Sequence, residues 1–326
     1  MDQFKGYLVS ETEDGVKAQI KDLTLNDLSE GNVLIKVEYS CLNYKDMLAF
    51  QAHGGVMRQY PLVPGMDLAG TVISSEDLNF KSGDQVLCTG YDLSVTHSGG
   101  LAEVARIPSE WLTKLPAGMS TRDAMVYGTA GLTAGLSIDA LLKAGMKPTD
   151  EVLVTGATGG VGSVAVAILA KLGFEHITAL VRKPNQVKAA QDFGATATLD
   201  AADLKVGKPL QHQSFDYVLD TVGGDVAAAL LSMIKIGGAM SACGNAGGHK
   251  LQTSILPFIL RGISLLGIDS IQPAAAIQNH IWDQLASDWN VIDQLTVDEI
   301  GLEDVLTVVE QLKAGQHLGR TIVKVQ

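Results

Sequence analysis

A glycine-spaced turn between an apolar strand and an apolar helix constrains this chain more than any other feature. The segment reads Val152-Leu-Val-Thr155-Gly156-Ala157-Thr158-Gly159-Gly160-Val161-Gly162-Ser163-Val164-Ala165. Where side chains are missing the backbone can turn tightly and approach a pyrophosphate, and the amides that open the helix meet its charge. In this context the pattern predicts a dinucleotide site at Gly159, Gly160, Val161 and Gly162. The plainer alternative is a turn that only packs a helix against a sheet.

Downstream, strand and helix patterns alternate. Strands are expected at 151–155, 176–181, 197–199, 215–221, 238–243 and 263–268, with helices at 162–172, 185–193 and 225–234 between them. Such an order describes an α/β protein with a doubly wound, six-stranded parallel sheet. Two further helices, 274–289 and 302–313, precede a last strand at 320–325. Upstream the texture differs: Val33, Ile35 and Val37 alternate with Leu34, Lys36 and Glu38, and short β-like runs at 61–65, 69–73 and 83–88 are separated by Gly, Pro and Asp turns. A capped, alanine-rich helix from Ser120 past Gly128 toward Lys143 marks the change. The expected division is a β-rich domain of 1–122, completed by 271–326, and a nucleotide domain of 123–270.

Twenty residues beyond Gly162, where such a sheet senses the adenosine ribose, stands Val181-Arg182-Lys183. A carboxylate there would bond the ribose hydroxyls of NAD, whereas two cations suit the added 2′-phosphate of NADP, so the expected cofactor is NADPH. Each charge-assisted bond is worth about 1.5 to 3 kcal/mol, enough to set a preference. A solvated loop end is the alternative.

The formal net charge of −12 argues against a nucleic-acid partner or an anionic membrane surface, since phosphate contacts need clustered cations. No apolar run reaches the roughly 18 to 20 residues that span a bilayer; Lys171 interrupts one and Lys235 another. The start Met1-Asp2-Gln3-Phe4-Lys5 lacks a secretory pattern, so a cytoplasmic location is expected. Cys41, Cys88 and Cys243 are distant from one another and form no Cys-x-x-Cys pair, which indicates neither a disulfide framework nor a zinc knuckle.

Polar groups also gather at two presumptive strand ends, Asn43-Tyr44-Lys45-Asp46 and Pro64-Gly65-Met66-Asp67, and small residues gather at Gly128-Thr129-Ala130-Gly131. By spacing alone a structural Tyr and a turn-forming Asp fit as well as a substrate site. Together with the turn at 155–162, however, these motifs resemble the medium-chain dehydrogenase/reductase superfamily. More narrowly, Ala242-Cys-Gly-Asn245-Ala-Gly-Gly248, Pro257-Phe-Ile259-Leu-Arg261, Gly267-Ile-Asp-Ser270 and Gly319-Arg-Thr321 resemble its YhdH/YhfP branch of quinone oxidoreductases and acrylyl-CoA reductases.

The resemblance implies a GroES-like catalytic domain beside a Rossmann domain, and a homodimer formed largely through the Rossmann sheets. It places NADP contacts at Tyr44, the loop from Gly159 to Gly162, Val181 to Lys183, Asn245, Ile259 and Ser270. Three departures stand out: Val181-Arg182-Lys183 replaces Ser-Gly-Arg, and two cofactor positions are here Ala201 and Gly315. Zinc-dependent relatives carry Gly-His-Glu where this chain has Gly65-Met66-Asp67, so no metal is expected, although Cys41, His53, Asp67 and Cys88 are imaginable ligands. The implied reaction is hydride transfer from NADPH to the β-carbon of a small electron-poor alkene, an acrylyl thioester foremost. Tyr44 would be the donor to the developing oxyanion, Asp67 its partner, and Thr129 a shaping contact for the nicotinamide. Quinone reduction, or cofactor binding without turnover, are the alternative readings.

Overall fold

The computed structural model describes residues 3–13, 15–52 and 54–326. Met1, Asp2, Asp14 and His53 therefore lie outside the described residues, as do the readings of the chain's start and of His53 as an imaginable metal ligand. The chain divides into two units, Met1–Thr129 with Thr296–Gln326, and Ala130–Leu295.

The first unit is built on β3 (Val33–Leu42). Its alternating Val33, Ile35 and Val37 are fully buried, each worth about 1.5 to 3 kcal/mol relative to exposure. Around it a sheet runs in the order β14 (Val297–Ile300), β15 (Arg320–Lys324), β3, β4 (Asp67–Ser75), β5 (Gln85–Thr89), β7 (Thr113–Lys114), with β6 (Val104–Ile107) also paired to β3. The last strand of the chain thus joins the first domain, with Thr321 opposite Leu42. Helix α8 (Val305–Lys313) lays Val305, Val308 and Val309 on the same core. A short helix, α1 (Tyr44–Ala49), follows β3 directly, and strands β1 (Phe4–Thr12) and β2 (Gly15–Leu23) form a separate antiparallel hairpin.

The second unit carries the expected parallel sheet of six strands, ordered β10 (Ala197–Asp200), β9 (His176–Val181), β8 (Glu151–Val154), β11 (Phe215–Asp220), β12 (Ile234–Ala242), β13 (Ser264–Gly267). The connecting helices are α3 (Gly160–Lys171), α4 (Pro184–Asp192), α5 (Gly224–Leu231) and α6 (Leu256–Arg261). Strand order reverses between β8 and β11, which sets the crevice at their C-terminal ends where such sheets bind ligands.

The units part at Thr129/Ala130 and Leu295/Thr296 rather than at 122/123 and 270/271. Helix α7 (Ala275–Ala286) stays with the parallel sheet because its fully buried Ile281, Trp282 and Leu285 need cover, and Ile281 packs against Gly135. Helix α2 (Thr121–Lys143) is not continuous: Gly128 adopts φ 51° and ψ −155°, and the helix breaks there. It is also the one described helix whose length and apolar content would suffice to cross a membrane, a feature the run-length reading passed over; 83% of its most apolar window is buried inside the protein.

Candidate active site

Asp67 opens β4 and is fully buried, with both carboxylate oxygens engaged. Its Oδ2 accepts from the Cys41 thiol at 3.0 Å, Asn43 Nδ2 at 2.8 Å and the Thr129 amide at 2.9 Å, and its Oδ1 accepts from the Thr129 hydroxyl. The break at Gly128 supplies part of this. Releasing the helix frees the Thr129 amide for Asp67 and the Val126 carbonyl for Arg320, whose Nε donates to it at 2.8 Å. Any side chain at 128 would strain the backbone, and its Cβ would stand 2.6 Å from Cys41 Sγ and 2.7 Å from Asp67 Oδ2.

Arg320 completes the cluster. Its Nη1 donates to Asn43 Oδ1 at 3.1 Å and its Nη2 to Cys41 Sγ at 3.2 Å, with only 1% of its surface exposed. A second buried carboxyl, Asp46, accepts from the Asn43 amide at 2.8 Å, Asn43 Nδ2 at 3.1 Å and the Met66 amide at 2.9 Å. Burial pushes the Asp46 pKa up to about 7, and Asp67 adds to the rise, while the hydrogen bonds from Met66 and Asn43 oppose it. Burial likewise pushes the Cys41 thiol well up, which keeps it a donor.

Tyr44 is the first residue of α1, 47% exposed, and among the described residues its hydroxyl has no hydrogen-bond partner. It does not pair with Asp67 as expected, because Asp67 is already surrounded by Cys41, Asn43 and Thr129. Thr129 serves Asp67 with both amide and hydroxyl. Asn43, Asp46 and Arg320 were not anticipated as site residues. Asn43-x-x-Asp46 does carry a local signal, that of a helix-capping box. Arg320 was marked only as part of the Gly319-Arg-Thr321 motif, and at 277 positions from Asn43 nothing local ties the two.

In the second unit the turn fits a dinucleotide. Gly159 caps α3, and Gly159, Gly160 and Val161 are half-exposed while Gly162 is buried. The amides of Gly160, Val161 and Gly162 stand in the first helical turn, where no intrahelical acceptor is available. A Cβ on Gly162 would run into the Gly156 carbonyl oxygen. Behind the turn, Asp220 at the end of β11 accepts from the Thr155 hydroxyl at 2.8 Å, the Val222 amide at 3.2 Å and the Gly223 amide at 2.8 Å, so the loops on both sides of the switch point share one anchor. Neither Thr155 nor Asp220 was expected as a site residue.

Val181 ends β9 and is buried, whereas Arg182 and Lys183 are exposed beyond it. Gln186 Oε1 accepts their amides at 2.8 and 3.1 Å and fixes that corner. Asn245, exposed after β12, and Ser270, half-buried after β13, lie at the same edge of the parallel sheet as the turn. Ile259 sits on α6, in the connection to β13, with 66% of its surface exposed. Among the described residues no group of three or more His, Cys, Asp or Glu side chains could hold a metal ion.

A β-rich unit closed by the chain's last strand, followed by a parallel sheet with a phosphate-ready turn at its switch point, defines a two-domain dehydrogenase/reductase architecture. Residues 29–117 match the alcohol dehydrogenase GroES-like domain and residues 160–287 the zinc-binding dehydrogenase domain. The acrylyl-CoA reductase AcuI of Ruegeria pomeroyi is 41% identical, with 99% of each chain covered. Among solved structures, the yhdH oxidoreductase of Salmonella enterica in complex with NADP superposes with a TM-score of 0.96 at 40% identity, covering 99% of this chain and all of that one. Bacillus subtilis yhfP with NAD bound gives 0.96 at 40% identity over the whole of both chains. The protein belongs to the medium-chain dehydrogenase/reductase superfamily, in its YhdH/YhfP branch.

Proposed function

We propose that this protein is an NADPH-dependent reductase of activated alkenes, with 2-enoyl thioesters such as acrylyl-CoA as substrates. The observation that carries the reading is the unengaged, half-exposed phenol of Tyr44, one residue beyond the Asn43 that ties Asp67 to Arg320. When bound, NADPH supplies a hydride. As the β-carbon gains it, negative charge moves onto the thioester carbonyl oxygen, and a pre-placed donor there lowers the barrier. Tyr44 is that donor; a proton from solvent water then reaches the α-carbon and the saturated thioester leaves. Asp67 and Arg320 hold the start of α1 and the Gly128 break in place.

In the second unit the Gly160, Val161 and Gly162 amides receive the pyrophosphate, Arg182 and Lys183 receive the 2′-phosphate, and Asn245 and Ser270 border the same strand ends. The reading uses no metal: the Arg320 guanidinium stands 3.2 Å from Cys41 Sγ and would repel a second cation there. Strand β13 ends its sheet, and Ile255, Ile259, Leu260 and Leu265 beside it are exposed, which supports a homodimer joined at that edge. A cytoplasmic location accords with this chemistry.

Replacing Tyr44 by Phe should lower kcat for acrylyl-CoA by about 100-fold, in the range for loss of one oxyanion donor, while NADPH affinity stays within about twofold. An unchanged kcat removes Tyr44 from the mechanism. Equal NADPH oxidation with quinones, measured side by side, would shift the substrate assignment, and sedimentation of the same preparation as a monomer would remove the dimer.

A further inference from the structure

One side chain holds the corner that follows β9. Gln186, half-buried in the first turn of α4, accepts the Arg182 amide at 2.8 Å and the Lys183 amide at 3.1 Å on the same oxygen, Oε1. Its own amide returns a hydrogen bond to the Lys183 carbonyl at 3.0 Å. Lys183 is the N-cap of α4 and Pro184 its first residue, whose ring fixes φ and asks for no acceptor. The main chain of both cations is therefore set from residue 186, while Arg182 and Lys183 themselves sit exposed beyond buried Val181.

The acceptor that does this is neutral. Glu serves the third position of a capped helix as well as Gln does, and would gain besides from the positive end of the helix dipole. In a chain with 36 Asp and Glu residues the first turn of α4 nonetheless carries no acid and reads Pro184-Asn185-Gln186. On the adjoining strand β10, Asp200 stands opposite Val181, but its Oδ1 is taken by the Ala202 amide at 2.9 Å. A carboxylate at 186 would bond the same two amides and keep the turn. It would also pair with the neighbouring cations and repel a dianionic phosphate.

We propose that Gln186 is a specificity-determining residue for the cofactor: it locks the main chain of Arg182 and Lys183 with an uncharged acceptor, so that a 2′-phosphate meets two cations and no competing carboxylate. This rests on the reading that Arg182 and Lys183 receive that phosphate, and adds that they prefer it only while position 186 is neutral.

The test is titration of the full chain with NADPH and with NADH, followed by nicotinamide fluorescence, beside urea midpoints measured without cofactor. Gln186→Glu should keep the wild-type midpoint, because both amides retain their acceptor, and should weaken NADPH about tenfold or more while NADH stays within about twofold. Added salt should narrow the gap between this variant and the wild type for NADPH, as screening of a repulsion requires. Gln186→Ala frees both amides; it should lower the midpoint and weaken NADPH about threefold to tenfold, again sparing NADH. NADPH bound as tightly by Gln186→Glu as by the wild type, or both nucleotides weakened alike, would overturn the role of Gln186. Should Gln186→Glu fail to fold, the NADPH to NADH ratio of Gln186→Ala decides in the same way. A wild type that holds both nucleotides equally would sink the phosphate reading itself, whereas a preference lost on replacing Arg182 and Lys183 but kept in Gln186→Glu would sink this proposal alone.

Discussion

The two units solve opposite problems at their functional ends. The first buries charge: Asp46, Asp67 and Arg320 are withdrawn from water and held by Cys41, Asn43, Thr129 and main-chain groups. The second presents backbone: the turn at Gly159 to Gly162 works through missing side chains and helix-opening amides, with Asp220 and Thr155 buried behind it. A buried polar cluster fails as a whole when one member is removed, whereas a backbone cradle depends on a few local contacts. The difference teaches where each unit is vulnerable.

The largest effect should follow from Arg320→Met. Removing the cation takes a donor from the Val126 carbonyl and from Asn43 Oδ1, and the closer of two donors from Cys41 Sγ, beside two buried carboxyl groups. Breaking such an arrangement costs about 3 to 5 kcal/mol, read as a lower urea midpoint. Arg320→Lys should recover part of this only, since a single ammonium cannot span the three acceptors that the planar fork reaches. A wild-type midpoint for the Met variant would break the contrast between the units.

That contrast also explains what was legible in the sequence. The turn could be read because its spacing is local, between 156 and 162, and strand and helix flank it at once. The parallel order of six strands followed from the same alternation. The cluster could not be read, because Cys41, Asp67, Thr129 and Arg320 meet only through pairing of β15 with β3 and through the break at Gly128. Nothing in the residues around Gly128 distinguishes a kinked helix from a straight one; the conformation answers to Asp67 and Arg320, which lie elsewhere in the chain. The membership of α7 depended in the same way on Ile281 meeting Gly135. The hairpin of β1 and β2 was passed over although Val16, Ala18 and Ile20 alternate with Lys17, Gln19 and Lys21 along β2.

A smaller effect sharpens the other side of the comparison. The double replacement Arg182→Gln and Lys183→Gln should remove an NADPH over NADH preference worth about 1.5 to 3 kcal/mol, roughly tenfold to 150-fold in the ratio of dissociation constants. Stability should hardly change, because both side chains are exposed and Gln186 bonds their main-chain amides, which the substitutions keep. The NAD carried by Bacillus subtilis yhfP shows that a neighbour at 40% identity accepts the unphosphorylated form, so NADH binding should survive in the variant. An unaltered ratio would mean that the 2′-phosphate is held elsewhere.

Per step of pH, the smallest effect concerns Asp46. Its folded pKa of about 7 lies above the ordinary carboxylate value near 4, so the folded protein binds the proton more readily than the unfolded chain does. Stability should therefore be greater below about pH 4 with respect to this group, and should decline as pH rises toward about 7, by at most roughly 1.4 kcal/mol per pH unit. Asp46→Asn abolishes the titration while keeping the shape, at the cost of turning one donor toward the Asn43 or Met66 amide. The variant should thus be less stable at every pH yet flatter across that window, measured by urea midpoints at half-unit steps. A slope identical to that of the wild type would assign the titration to another group and leave Asp46 charged in the fold, held by the Asn43 and Met66 amides.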